Sequence, residues 1–82
     1  MDALSAALFE NGLPDLPISL IEPHRNRRGI WRVKFCYESN EPLSMDRGQA
    51  SNLALRLLEM GEAGLADEID DAVRRAQRYT AM

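Results

Sequence analysis

Ile30-Trp31-Arg32-Val33-Lys34-Phe35-Cys36-Tyr37-Glu38 is the stretch that decides the fold. Trp31, Val33, Phe35 and Tyr37 fall on one side of an extended chain. Arg32, Lys34, Cys36 and Glu38 fall on the other. A period of two, carried by aromatic and β-branched residues, marks a strand with one face buried. This strand is the expected floor of the core.

Working towards the N-terminus, His24-Arg25-Asn26-Arg27-Arg28-Gly29 connects it to an earlier strand at Ile18 to Glu22. Asn26 suits the start of a type I turn, and Gly29 the left-handed residue that follows. Pro17 and Pro23 bracket the earlier strand, as expected of an edge strand, because each proline removes a ladder donor. Pairing Arg25 with Ile30 puts Ile18 and Leu20 on the aromatic face. A slip of one residue would bury Ser19 and Ile21 instead, a poorer choice. Further upstream, Leu13 to Pro17 is a proline-containing spacer. Asp2 to Asn11 reads as a short helix capped by Asp2, with Gly12 suited to ending it.

On the other side, Ser39 to Leu43 reads as a loop, and Ser44 as the N-cap of a helix running to about Met60. Ala50, Leu53, Ala54, Leu57 and Leu58 form its apolar face, while Arg47, Ser51 and Glu59 read as solvent-facing. Gly61 stops this helix, and a second begins between Glu62 and Leu65. So short a link makes the two antiparallel neighbours. Leu65, Ile69, Ala72, Val73, Ala76 and Thr80 form the face of the last helix. Its acids precede its arginines, which suits the helix dipole, and Asp70–Arg74 and Asp71–Arg75 are favourable pairs.

The expected architecture is therefore α+β in a single domain over residues 1–82. Residues 1–16 form a helix and spacer, residues 17–38 a two-stranded antiparallel hairpin, and residues 44–79 a helical pair packed on one sheet face. Two strands leave the second with an open edge long enough to accept a partner strand or a second copy of the chain.

Eighty-two residues hold one modest core. The lone cysteine, Cys36, cannot form an internal disulfide, which favours a reducing, cytoplasmic setting. Met1 reads as a true start, without the apolar run of a signal peptide or a membrane span. The net charge of −3 argues against a dedicated phosphate binder. Charge is unevenly placed, however: Arg25, Arg27 and Arg28 crowd one loop.

No motif fixes an activity. His24 is the only histidine and Cys36 the only cysteine, too few for a conventional zinc site. Adjacent acids such as Asp70 and Asp71 point apart on a helix and have arginines four residues on. There is no Gly-rich phosphate loop, HExxH or GxSxG. No catalytic residue, metal ligand or cofactor is expected. The helical pair is a poor helix-turn-helix, because its second helix opens with acids where a recognition helix meets phosphates.

Two readings of function remain. The first is a non-enzymatic protein–protein interaction module, acting through homodimerisation or partner binding on the strand edge and the arginine tip. The second is a nucleic-acid binder using Arg25, Arg27, Arg28, Arg32 and Lys34, with His24 or Trp31 available to stack on bases. The arginine loop itself reads either as this grip or as a polar, solvated turn.

Overall fold

The computed structural model describes residues 2–14 and 17–81. Residues 15 and 16, within the expected proline spacer, lie outside them. Three helices and a three-stranded antiparallel sheet make an α+β fold. In chain order these are α1 (Ala3–Glu10), β1 (Ile18–Arg25), β2 (Trp31–Tyr37), β3 (Leu43–Met45), α2 (Arg47–Glu59) and α3 (Ala63–Ala81). The sheet order is β1-β2-β3. α3 packs across β1 and β2, α2 lies against α3 and β2, and α1 rests on α2. Val33 and Phe35 from β2, Leu53 and Leu57 from α2, and Ile69 from α3 are the largest fully buried side chains. Each contributes about 1.5–3 kcal/mol of burial free energy. The alternation of β2 and the helical period of α3 thus meet in one core.

The third strand corrects the expected two-stranded hairpin. Leu43, Ser44 and Met45 pair with Phe35, Lys34 and Val33. Met45 joins the core beside Val33, at 3 % exposure. The middle of the β2 edge, expected to be open, is therefore occupied. Ser44 is a strand residue rather than a cap. The N-cap of α2 is Asp46, whose carboxylate accepts a 2.7 Å bond from the Gln49 amide. The cap of the helical pair accordingly lies two residues later than expected, and α2 starts at Arg47. Leu58 lies outside the buried face of α2 and is exposed, as is Leu55.

The hairpin register also differs. Asn26 pairs with Ile30 through its amide (2.9 Å), and its side-chain oxygen accepts from the Ile30 amide (2.9 Å) and the Arg28 amide (3.0 Å). Gly29, at φ 80°, supplies the left-handed step that closes the turn. Asn26 thus occupies the place opposite Ile30, and Arg25 pairs with Trp31 instead. That shift puts Ile21 opposite Phe35 and turns Leu20 outward, leaving Leu20 51 % exposed. A register irregularity between Ile18 and Leu20 then returns Ile18 to its expected partner, Tyr37. The Ser19 hydroxyl donates to the Cys36 carbonyl at 3.0 Å there. The bulge absorbs one residue, so both Ile18 and Ile21 pack on the core.

β1 runs beyond Glu22, through Pro23 and His24. Pro23 is tolerated because β1 is an edge strand, with its missing donor on the unpaired side. At the other end, α1 is capped as expected: the Asp2 carboxylate accepts from the Ser5 amide at 2.8 Å. α1 is tied to α2 by the Glu10–Arg56 ion pair and by Gln49 Nε2 donating to Asn11 Oδ1 at 3.3 Å.

Candidate functional site: an arginine and aromatic cleft at the hairpin tip

The five basic residues singled out in the sequence do not form one surface. Strand alternation divides them. Arg25 pairs with Trp31 at the end of β1, on the helix-bearing side of the sheet. Arg27 and Arg28 are exposed on the turn. Arg32 and Lys34 lie on the opposite, helix-free side with Glu22, His24, Cys36 and Ser44. There Lys34 faces Glu22 at 3.7 Å, and Arg32 Nε donates to Ser44 Oγ at 3.2 Å.

Arg25 is joined instead by residues distant in sequence. α2 and α3 are antiparallel, so the first turn of α2 and the last turn of α3 arrive at the same end of the molecule, beside the hairpin tip. Arg25, Trp31, Arg47, Tyr79 and Thr80, with the backbone of Gly29, line an open cleft of about 460 Å³ there. Ile30, half exposed, forms its outer lip. That volume lies within the range of about 300–1,000 Å³ usual for small-ligand sites.

Each wall has a local cause. Trp31 opens β2 on the inner face, and Tyr79 stands against it with ring centroids 4.8 Å apart and planes inclined at 43°. The Arg25 guanidinium lies over Gly29, where a Cβ would come within 3.2 Å of its Nη2. Arg47 Nη1 donates to the Thr80 hydroxyl at 3.3 Å, and that hydroxyl donates to the Ala76 carbonyl at 2.9 Å. A cation in the first turn of a helix opposes that helix's dipole, but Arg47 also faces the C-terminal turn of α3, whose partial negative charge offsets this.

The charges of the molecule are segregated. Lys34, Arg56, Arg74 and Arg75 each face a carboxylate. Among the described residues, Arg25, Arg27, Arg28, Arg32, Arg47 and Arg78 form no ion pair. All but Arg32 and Arg78 belong to the tip or the cleft. The acids Glu59, Glu62, Asp67 and Glu68 lie at the end of α2 and the start of α3, towards the opposite end. A net charge of −3 therefore conceals a basic pole.

Arg47 and Tyr79 were the residues that sequence reasoning missed. Arg47 carried no signal beyond its charge. Tyr79 continues the i, i+4, i+7 spacing of Ala72 and Ala76 but is itself exposed, and that spacing alone does not place it at the hairpin tip. His24 lies on the open sheet face and takes no part in the cleft. Among the described residues no cluster of three or more histidine, cysteine or acidic side chains is placed to hold a metal ion, and no helix is long and apolar enough to cross a membrane. No family model matches the chain, and neither does any curated protein or solved structure.

Proposed function

We propose that this protein is a small, non-enzymatic binding module whose contact surface is the arginine-rich end, and whose partner is anionic. The observation that carries this reading is a set of guanidinium groups, Arg25, Arg27, Arg28 and Arg47, gathered at one pole without carboxylate partners among the described residues, while Lys34, Arg56, Arg74 and Arg75 are paired. Arginine holds its charge at any working pH and presents a planar fork of donors to carboxylate or phosphate oxygens. Local charge of one sign steers association even when the total has the opposite sign.

Pairing of two copies through a strand edge is the weaker arm of the same module reading. β3 covers the middle of β2, and the free edge of β1 carries Pro23 and a bulge, two devices that block strand addition. A monomer across a concentration series in light scattering is the expected result.

Chromatography on immobilised heparin tests the reading directly. A protein of net charge −3 is retained by a polyanion only through a basic pole. The full chain is expected to bind at low salt and to elute on a salt gradient, and R27A/R28A/R47A to pass through. Passage of the unaltered chain at low salt overturns the proposal.

A further inference from the structure

We infer that the cleft at the hairpin tip receives one unpaired nucleotide of a single-stranded nucleic acid, its base against Trp31 and Tyr79 and its phosphate between Arg25 and Arg47. This rests on the binding-module reading and names the partner. Four features of the cleft select that chemistry together. Two aromatic rings at one wall supply a sequence-tolerant stacking surface. Two guanidinium groups line the same cleft, and among the described residues neither has a carboxylate partner that an entering phosphate would displace. The Thr80 hydroxyl adds a polar contact at the edge. Arg27 and Arg28, on the exposed turn beside the cleft, are placed to follow the strand to neighbouring phosphates.

An acidic protein segment uses the arginines but leaves the aromatic wall without a role. A duplex supplies phosphates but keeps its bases stacked and out of reach. An unpaired strand uses both parts of the site, since its bases are free to stack on protein rings.

Trp31 is the only tryptophan of the chain, so its emission reports on the cleft. The full chain is titrated with a mixed-sequence ten-nucleotide RNA, the DNA of the same sequence, the corresponding duplex and an oligoglutamate of equal charge. Quenching of Trp31 by the single strands, with the duplex at least tenfold weaker, is expected. The RNA and DNA arms then decide whether the sugar is read. Neutralising about three phosphates, one between Arg25 and Arg47 and one each at Arg27 and Arg28, gives a log–log salt slope of roughly −2, and R25A/R47A reduces its magnitude by about 0.7. Y79A weakens single-strand binding by roughly 5- to 150-fold. Y79L keeps an apolar side chain against Trp31 and separates lost stacking from lost folding; it is expected to weaken binding as well.

Oligoglutamate that quenches Trp31 as strongly as the single strands overturns the nucleotide assignment while leaving the binding module standing. Single-strand binding unchanged in both Y79L and R25A/R47A overturns the cleft as its site. Absence of any binding by a chain that heparin retains overturns this inference alone. Absence of both removes the module reading as well.

Discussion

The rings of Trp31 and Tyr79 meet at 4.8 Å, joining the first residue of β2 to the last turn of α3. This contact fastens the end of a long helix to the sheet at the point where the hairpin turns. A tilted aromatic pair contributes about 0.5–1.5 kcal/mol beyond its buried area. Y79A is expected to lower stability by about 1–2 kcal/mol and to shift Trp31 emission to the red as water reaches the indole. Thermal melting and the emission maximum check both effects. An unchanged emission maximum would mean that Tyr79 does not cover Trp31 in solution.

The register of β1 is testable by comparing neighbours. Ile21 packs towards Phe35, whereas Leu20 is 51 % exposed on the other side. I21A should cost about 1–2 kcal/mol and L20A under about 0.5 kcal/mol, because only the first removes apolar area from the core. Urea unfolding of the two variants measures this. The reverse order would restore the register in which Leu20 faces the aromatics.

Much of this fold is legible in the sequence where one face of one element is buried along its whole length. Val33, Phe35 and Tyr37 of β2 and Ile69, Ala72, Val73 and Ala76 of α3 are of that kind, and all are buried in the core. Asp2 and Gly61 likewise signal helix ends through chemistry confined to a few residues. β3 has no such signature. Three residues cannot show a period, and Leu43 to Met45 become a strand only because β2 offers an edge and Val33 a place for Met45 to pack. The bulge at Ser19 is hidden for a similar reason. It reconciles two registers, one set by Asn26 at the turn and the other by Ile18 opposite Tyr37, and neither alone reveals it. Of the cleft, Arg25 and Trp31 are visible because they adjoin the turn. Arg47 and Tyr79 are not, because only the antiparallel packing of α2 on α3 brings them to the tip.

Asp46 and Ser44 offer a clean contrast at the start of α2. The Asp46 side chain satisfies the Gln49 amide, an orphan donor of the first turn. D46A should destabilise the protein by about 0.5–2 kcal/mol. S44A removes only the exposed contact with Arg32 and should fall within about 0.5 kcal/mol of the parent. Chemical denaturation of both variants decides between them, and a larger loss in S44A would return the cap to Ser44.

Acid should loosen the N-terminal end first. Ion pairing with Arg56 holds the Glu10 carboxyl below its ordinary value of 4.5, and the Ser5 amide holds Asp2 below 3.8. Both groups are therefore more acidic folded than unfolded. As pH falls, the unfolded chain takes up these protons before the folded chain does. The stability they supply is complete above the unfolded values and is lost as pH drops through the lowered folded ones. Arg56, raised by the same pair, stays charged throughout this range. Unfolding midpoints measured from about pH 6 to about pH 2 should decline most steeply below about pH 4.5. E10Q should flatten the upper part of that decline, and D2N the lower part, with only a small change at neutral pH because both carboxylates face solvent. If E10Q instead follows the slope of the parent throughout, the Glu10–Arg56 pair does not hold α1 to α2 in solution.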